Sequence, residues 1–244
     1  MKDYIKRIIP AKEHVYLEGP KPRVNEFFFA LNVLQEFIKG FRALHFAGPC
    51  ITVFGSARFT PEHEYYKAAE EFGKRIAEMG FVTLTGGGPG IMEAANKGAF
   101  ENAGKSIGIN IKLPFEQQEN PYLHKSVTID YFFVRKTLLV KYSYAFIILP
   151  GGWGTMDELF ETLTLIQTKT ITNFPVVLFG KKYFQPLFNY IEMMSEQGTI
   201  SKEDLRHILL TDDYDDAINY ISSYIKTNYT IKPHKRFWWF LDKK

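Results

Sequence analysis

Apolar positions in this chain follow two rhythms. Across residues 24–46, Phe27, Leu31, Leu34, Ile38 and Phe41 recur at spacings of three and four, the period of one helix face. Beyond residue 49 the pattern changes to short β-rich runs separated by amphipathic stretches. The runs are 50–54, 81–84, 106–111, 127–131, 145–149 and 175–179. Between and after them, helices are predicted over 61–79, 91–102 and 135–142, from Thr155 onward, and over 183–195 and 214–224. Thr60 reads as the N-cap of the first of these, with Pro61 in its first helical position. Strand and helix in regular alternation predict an α/β fold: a single doubly wound, Rossmann-like domain with a mostly parallel sheet flanked by helices. We divide the chain into an arm over 1–22, broken by Pro10, Pro20 and Pro22, a domain over 23–230 that includes the N-terminal helix, and a tail over 231–244. The tail's run Phe237-Trp238-Trp239-Phe240-Leu241 is too aromatic to stay solvated, and docking on its own domain or on a partner subunit is expected.

Composition narrows the function classes. With 244 residues, 45% of them hydrophobic, the chain can fill a full core. Thirty basic against 27 acidic residues leave a net charge of +3, which gives no basis for a broad nucleic-acid-binding surface. The single cysteine, Cys50, falls in a predicted core strand and reads as a buried small hydrophobe. Neither a signal-like apolar core near the N-terminus nor a membrane-length apolar run is present in the sequence, so a cytoplasmic, soluble protein is expected. The six histidines have no metal-ligand spacing, and no metal or cofactor is expected.

Glycines then mark where chemistry could sit. In open α/β sheets, ligands bind at the carboxyl ends of strands. Three glycine-bearing turns follow predicted strands: Gly55-Ser56-Ala57-Arg58, Gly86-Gly87-Gly88-Pro89-Gly90 and Gly151-Gly152-Trp153-Gly154-Thr155. One such turn alone is most simply a tight connection. Three in register at strand ends point to a phosphate-bearing ligand. The last turn opens a helix that carries Glu158, an acid one turn in, beside the anion cradle. Glu93 and Glu161 are further helix carboxylates near glycine turns, although acids in a first turn are ordinary dipole partners. Glu158 and Glu161 share a face. Arg135 and Lys136 stand at the start of a predicted helix, where they are either a solvated pair or a pair aimed at an anionic substrate. Two other readings fail on spacing and context. Position 91 is Ile where a dinucleotide fingerprint begun at Gly86 needs glycine, which makes a dehydrogenase the weakest reading. The Walker-like run ending Gly104-Lys105-Ser106 closes a helix and leads into a strand, the reverse of a P-loop, so Gly104 reads as a helix C-cap glycine.

These residues resemble the LOG ("lonely guy") family. Residues 150–158 fit its P-G-G-x-G-T-x-x-E signature, Arg135-Lys136 its R-K pair, residues 86–94 its G-G-G-x-G-x-M-E run and residues 53–58 its first-strand turn. The stretch 108–117 with Asn120-Pro121-Tyr122 is similar to a longer bacterial subgroup. The resemblance spans roughly residues 50–224 and implies hydrolysis of the N-glycosidic bond of a purine nucleoside 5′-monophosphate, AMP or a cytokinin riboside monophosphate, to free base and ribose 5-phosphate. It implies Glu158 and Arg135 as catalytic residues. Gly151, Gly152, Gly154 and Thr155 would hold the phosphate. Gly87, Gly88 and Gly90 would cover the other side, with Glu93 near the ribose, Gly55 and Ser56 closing the pocket and Lys136 facing substrate. Many members once carried the label lysine decarboxylase, for which the sequence offers no pyridoxal-phosphate site. The family also implies a homodimer or higher homo-oligomer. A nucleotide-binding sensor on the same fold is the alternative; it would keep the glycine cradle without needing the carboxylate.

Overall fold

A computed structural model describes residues 20–113, 119–172 and 174–229. Seven parallel strands form one sheet: β1 (Cys50–Phe54), β2 (Val82–Thr85), β3 (Ser106–Ile111), β4 (Lys125–Ile129), β5 (Ser143–Ile148), β6 (Val176–Phe179) and β7 (Ile208–Thr211). Their spatial order is β4-β3-β2-β1-β5-β6-β7. The helices are α1 (Arg23–Leu44), α2 (Glu64–Glu78), α3 (Ile91–Glu101), α4 (Phe132–Tyr142), α5 (Trp153–Gln167), α6 (Lys181–Glu196) and α7 (Tyr214–Asn228), with a 3-10 turn over Asp204–His207.

The central strands are buried on both faces, so they read as continuous apolar runs rather than alternating ones. Alternation instead sorts each strand between two cores. Cys50, Phe54, Phe146, Ile148, Val176 and Leu178 face the layer built by α1, α4, α5 and α6. Ile51, Val53, Ala145, Ile147, Val177 and Phe179 face α2, α3 and α7. Cys50 is fully buried in the first core, and burial pushes its thiol up to about 12.

Strand order carries the functional geometry. From β1 the chain moves outward through β2, β3 and β4, then returns to β5 on the other side of β1 and moves outward again. Connections leave β1 and β5 in opposite directions, which opens a crevice at their carboxyl ends.

Several boundaries differ from the sequence reading. Helix α2 begins at Glu64, because the His63 imidazole caps it by accepting from the Tyr65 N–H at 3.2 Å, while Thr60 and Pro61 lie in the preceding turn. Helix α4 starts three residues earlier than predicted, so Arg135 lies within its first turn rather than at its first position. At the end of α3 the left-handed residue is Ala103 (φ 57°). Gly104 follows it, its N–H donates to the Ala99 carbonyl at 2.9 Å, and a Cβ there would run into Ala77. Strand β7 was missed because Ile208-Leu209-Leu210-Thr211 is a four-residue run beside a 3-10 turn. The tail 231–244, most of the arm and part of the 108–117 motif lie outside the described residues.

Candidate active site

The turns after β1 and β5 are stitched together. Ser56 N–H donates to the Pro150 carbonyl at 3.0 Å, and Leu149 N–H donates to the Phe54 carbonyl at 2.9 Å. Beyond them the chains diverge and a cleft of about 610 Å³ opens, lined by Gly55, Ser56, Arg58, Met92, Arg135, residues 151–155, Glu158 and Tyr183 among others. One wall is the N-terminus of α5. Gly152 is its N-cap and supplies no side-chain cap, so the helix presents its first N–H groups and the positive end of its dipole to the cleft. Thr155 N–H, expected to face an anion, instead donates to the Gly152 carbonyl at 3.1 Å; the Thr155 side chain lines the cleft. A Cβ on Gly152 or Gly154 would meet nothing within 4 Å. These two glycines therefore leave room rather than relieve crowding. Gly151 is fixed from outside, its carbonyl accepting from the Tyr183 hydroxyl at 2.7 Å.

Glu158 lies one turn into α5 and is only 5% exposed. Its Oε2 is buried and accepts no hydrogen bond. Burial pushes its carboxyl up to about 7; Arg135 pulls it down, and the nearby Glu161 adds to the rise. Arg135 reaches the same cleft from α4. Its Nε donates to the Ile109 carbonyl at 2.8 Å, and its Nη2 lies 3.5 Å from the Gly86 carbonyl. Burial lowers the Arg135 pKa, and the charge of Glu158 opposes that shift. The sheet thus brings together a carboxylate and a guanidinium from helices 23 residues apart in sequence, both largely desolvated and neither hydrogen-bonded to the other. Unsatisfied buried charge of this kind is costly, and it gathers at functional sites.

Other sequence-predicted residues sit elsewhere. Lys136 does not line the cleft. Its ammonium pairs with Asp157 at 3.0 Å and Glu161 at 2.7 Å, which ties α4 to α5 and holds Arg135 and Glu158 in relation to each other. Glu93 points at α2, where it accepts from the Tyr66 hydroxyl at 3.2 Å; its neighbour Met92 lines the cleft instead. Gly87, Gly88 and Gly90 form a buried wall one layer back. Gly87 and Gly90 hold left-handed conformations (φ 72° and 69°), and a Cβ at either would strike Asn110 or the backbone at Ser56 and Ala57. Asn120 N–H donates to the Gly87 carbonyl at 3.0 Å, and its side chain to the Gly88 carbonyl at 3.1 Å. A Cβ on Gly86 would strike the Arg135 guanidinium, so the bare glycine leaves room for Arg135 at the cleft.

Sequence reasoning did not single out Tyr183, Met92, Trp153 or Arg58. Tyr183 comes from the helix after β6, a distance no local motif spans. Trp153 and Arg58 stood inside quoted motifs without an assigned role, and Trp153 is 93% exposed at the cleft mouth. Among the described residues, no group of three or more His, Cys, Asp or Glu side chains is placed to hold a metal ion.

Known proteins resemble this chain. A family described as "Possible lysine decarboxylase" matches residues 92–221, more than half of the chain. The chain belongs to this family, the LOG family. The rice (Oryza sativa subsp. japonica) protein named cytokinin riboside 5′-monophosphate phosphoribohydrolase LOG is 32% identical over 151 residues, covering 60% of this chain and 61% of its own length. A Rhodococcoides fascians cytokinin riboside 5′-monophosphate phosphoribohydrolase is 29% identical over 194 residues, covering 72% of this chain and 96% of its own. A protein of the same name from Mycobacterium tuberculosis is 28% identical over 162 residues, covering 65% and 87%. Among solved structures, the molybdenum cofactor binding protein from Rippkaea orientalis superimposes with a TM-score of 0.56 at 24% identity, covering 74% of this chain and 99% of that one. That likeness is one of fold.

Proposed function

We propose that this LOG-family protein hydrolyses the N-glycosidic bond of purine nucleoside 5′-monophosphates, AMP or a cytokinin riboside monophosphate among them. The observation that carries the reading is Glu158: a buried carboxylate with an unpartnered oxygen, opposite Arg135, one turn behind an uncapped helix N-terminus. A helix terminus suits a 5′-phosphate. With the phosphate at residues 152–154, the sugar extends inward toward Glu158. The relatives' names point to the same chemistry.

Water attacks C1′ and the C1′–N9 bond breaks, with its electron pair leaving on the base. Positive charge develops on the ribose ring, and an ionised Glu158, itself largely desolvated, stabilises it at short range. Glu158 also takes the proton of the attacking water, and the departing base acquires one from solvent. A pKa near 7 suits a group that must accept a proton at neutral pH. Arg135 keeps Glu158 from rising further and offers its remaining N–H groups to substrate oxygens. Lys136 acts through position, by clamping α5 to α4.

The decarboxylase description fits the site poorly. Pyridoxal phosphate chemistry needs a lysine amine for its Schiff base. Among the described residues no lysine lines the cleft, and the nearby Lys136 is held by two carboxylates. The test is chromatographic: purified protein with AMP and with a prenylated-adenine riboside monophosphate, followed for free base. Release of adenine or prenyladenine supports the reading. Tight nucleotide binding with no base released would make the protein a sensor instead.

A further inference from the structure

A second groove opens at the amino-terminal end of the sheet and shares no residue with the cleft. Helix α5 runs away from the cleft to Gln167 and α6 to Glu196, so both helices end beside the segment that leads into β7. Two hollows join there. One is an apolar slot of about 80 Å³ between α5 and α6, lined by Phe160, Leu163, Ile191, Met194, Ile200 and Leu205 among others. The other is a polar trough of about 630 Å³ that includes Lys169, Thr172, Glu203 and Asp204. Ile166, Gln167, Ile200 and Asp204 line both, which makes them one continuous groove. The slot is too small for a metabolite, whose pockets run to about 300–1,000 Å³, and suits a single apolar side chain.

We propose that the occupant of this groove is the chain's own tail, residues 231–244, with its basic stretch in the trough and its aromatic run over the slot. The tail lies outside the described residues, but the place where it leaves them is fixed. Tyr229, the last described residue, is fastened at the trough: its hydroxyl donates to the Thr172 carbonyl at 3.2 Å, and its ring meets Tyr144 edge-on at 5.1 Å. The slot lies one strand further across, since Ile208, which lines it, pairs with Val176 of β6. Neighbouring strands lie about 5 Å apart and seven extended residues span up to about 25 Å, so residues 230–236 reach the slot with length to spare. Sequence order matches this path. Lys232, His234, Lys235 and Arg236 come first, where the trough offers Glu203 and Asp204, and Phe237-Trp238-Trp239-Phe240-Leu241 follows where the slot is apolar. Charge is complementary as well: the tail holds five Lys and Arg against one Asp, and the trough two carboxylates against Lys169. A tether this short gives an effective concentration on the order of millimolar, which favours the chain's own tail over that of another molecule. The inference does not depend on the proposed catalysis.

Tryptophan fluorescence of the full-length protein tests it. Trp153→Phe leaves Trp238 and Trp239 as the chain's two indoles. Their emission is expected to the blue of the urea-unfolded protein's, with acrylamide quenching several-fold weaker, and both unchanged across a dilution series. Adding Thr164→Arg, which sets a long cation at an exposed position of the slot, should move both readings to the unfolded values with an unchanged circular dichroism spectrum. Solvent-like emission before that second substitution, or blue emission that survives it, overturns the proposal. So does emission that turns blue only with phosphatidylserine vesicles, or that reddens on dilution as cover by a second copy would. Should Thr164→Arg misfold, Thr164→Cys/Leu241→Cys under mild oxidation replaces it, because the one native cysteine is buried. A disulfide within one chain at low protein concentration is expected there, and its absence, or a disulfide between chains, overturns the proposal.

Discussion

Two glycine-rich turns in this protein look alike in sequence and do opposite things. The turn after β2 sits on a buried polar network, in which only the Asn110 amide nitrogen beside Gly87 is left without a partner among the described residues. Thr85 donates to Asn96 at 2.6 Å, Asn96 to Ser106 at 2.7 Å, and Asn120 to Asn96 at 3.0 Å, all buried. Gly87 N–H completes it by donating to the Thr85 hydroxyl at 2.9 Å. The turn after β5 is the reverse: uncapped N–H groups, open space at Gly152 and Gly154, and a buried carboxyl oxygen with no donor. Satisfied polar groups rigidify, whereas unsatisfied ones wait for a ligand. On the proposed reading the first turn is scaffold and the second holds substrate, although both are glycine runs at strand ends.

Substitutions can break this contrast. The largest effect is expected at Glu158. Glu158→Gln should lower base release by about 10²–10⁴-fold, with the far-ultraviolet spectrum unchanged. In the scaffold turn the loss should move from activity to stability. Asn96→Ala strips partners from Thr85, Ser106 and Asn120 at once and should cost about 2–4 kcal/mol in denaturant melts, while turnover per folded molecule in the cold stays near wild type.

The raised carboxyl of Glu158 links site and stability through pH. Its folded pKa of about 7 exceeds the ordinary 4.5, so between these values the folded state holds more protons than the unfolded one. The stability tied to this group is full below about pH 4.5 and lost as pH rises through about 7. Relative to Glu158→Gln, wild type should therefore lose melting temperature across that window, and parallel melts of the two should diverge toward higher pH. The acid limb of kcat/KM should rise across the same upper range, as the carboxylate ionises. The smallest effect sharpens the comparison most. Gly154→Ala places a methyl in open space within a helix, so stability should hold or rise by about 0.5–1 kcal/mol while KM for the nucleotide increases. Gly87→Ala, at φ 72° against Asn110, should instead destabilise with little change in KM.

The architecture was legible because it rests on periodicity. Helical stretches and β-rich runs alternate along the chain, and six of the seven strands overlap their predicted spans. Glu158 and Arg135 were legible as members of motifs. Their partners were not. Whether Glu93 faces a cleft or Tyr66, and whether Lys136 faces substrate or Asp157 and Glu161, depends on helix rotation set by packing across the sheet. Tyr183 arrives from a distant helix, so no local spacing announced it. The scaffold role of the turn after β2 needed Asn110 and Asn120, which reach it from the next strand and the loop beyond.

One assay bears on the central claim that a desolvated Glu158 cleaves the glycosidic bond of a nucleotide held at the α5 terminus. Adenine release from AMP should be followed for wild type and Glu158→Gln, with AMP binding measured on the same preparations. We expect release by wild type, and a variant that binds AMP but releases about 10²–10⁴-fold less adenine. Equal release by both proteins would contradict the account.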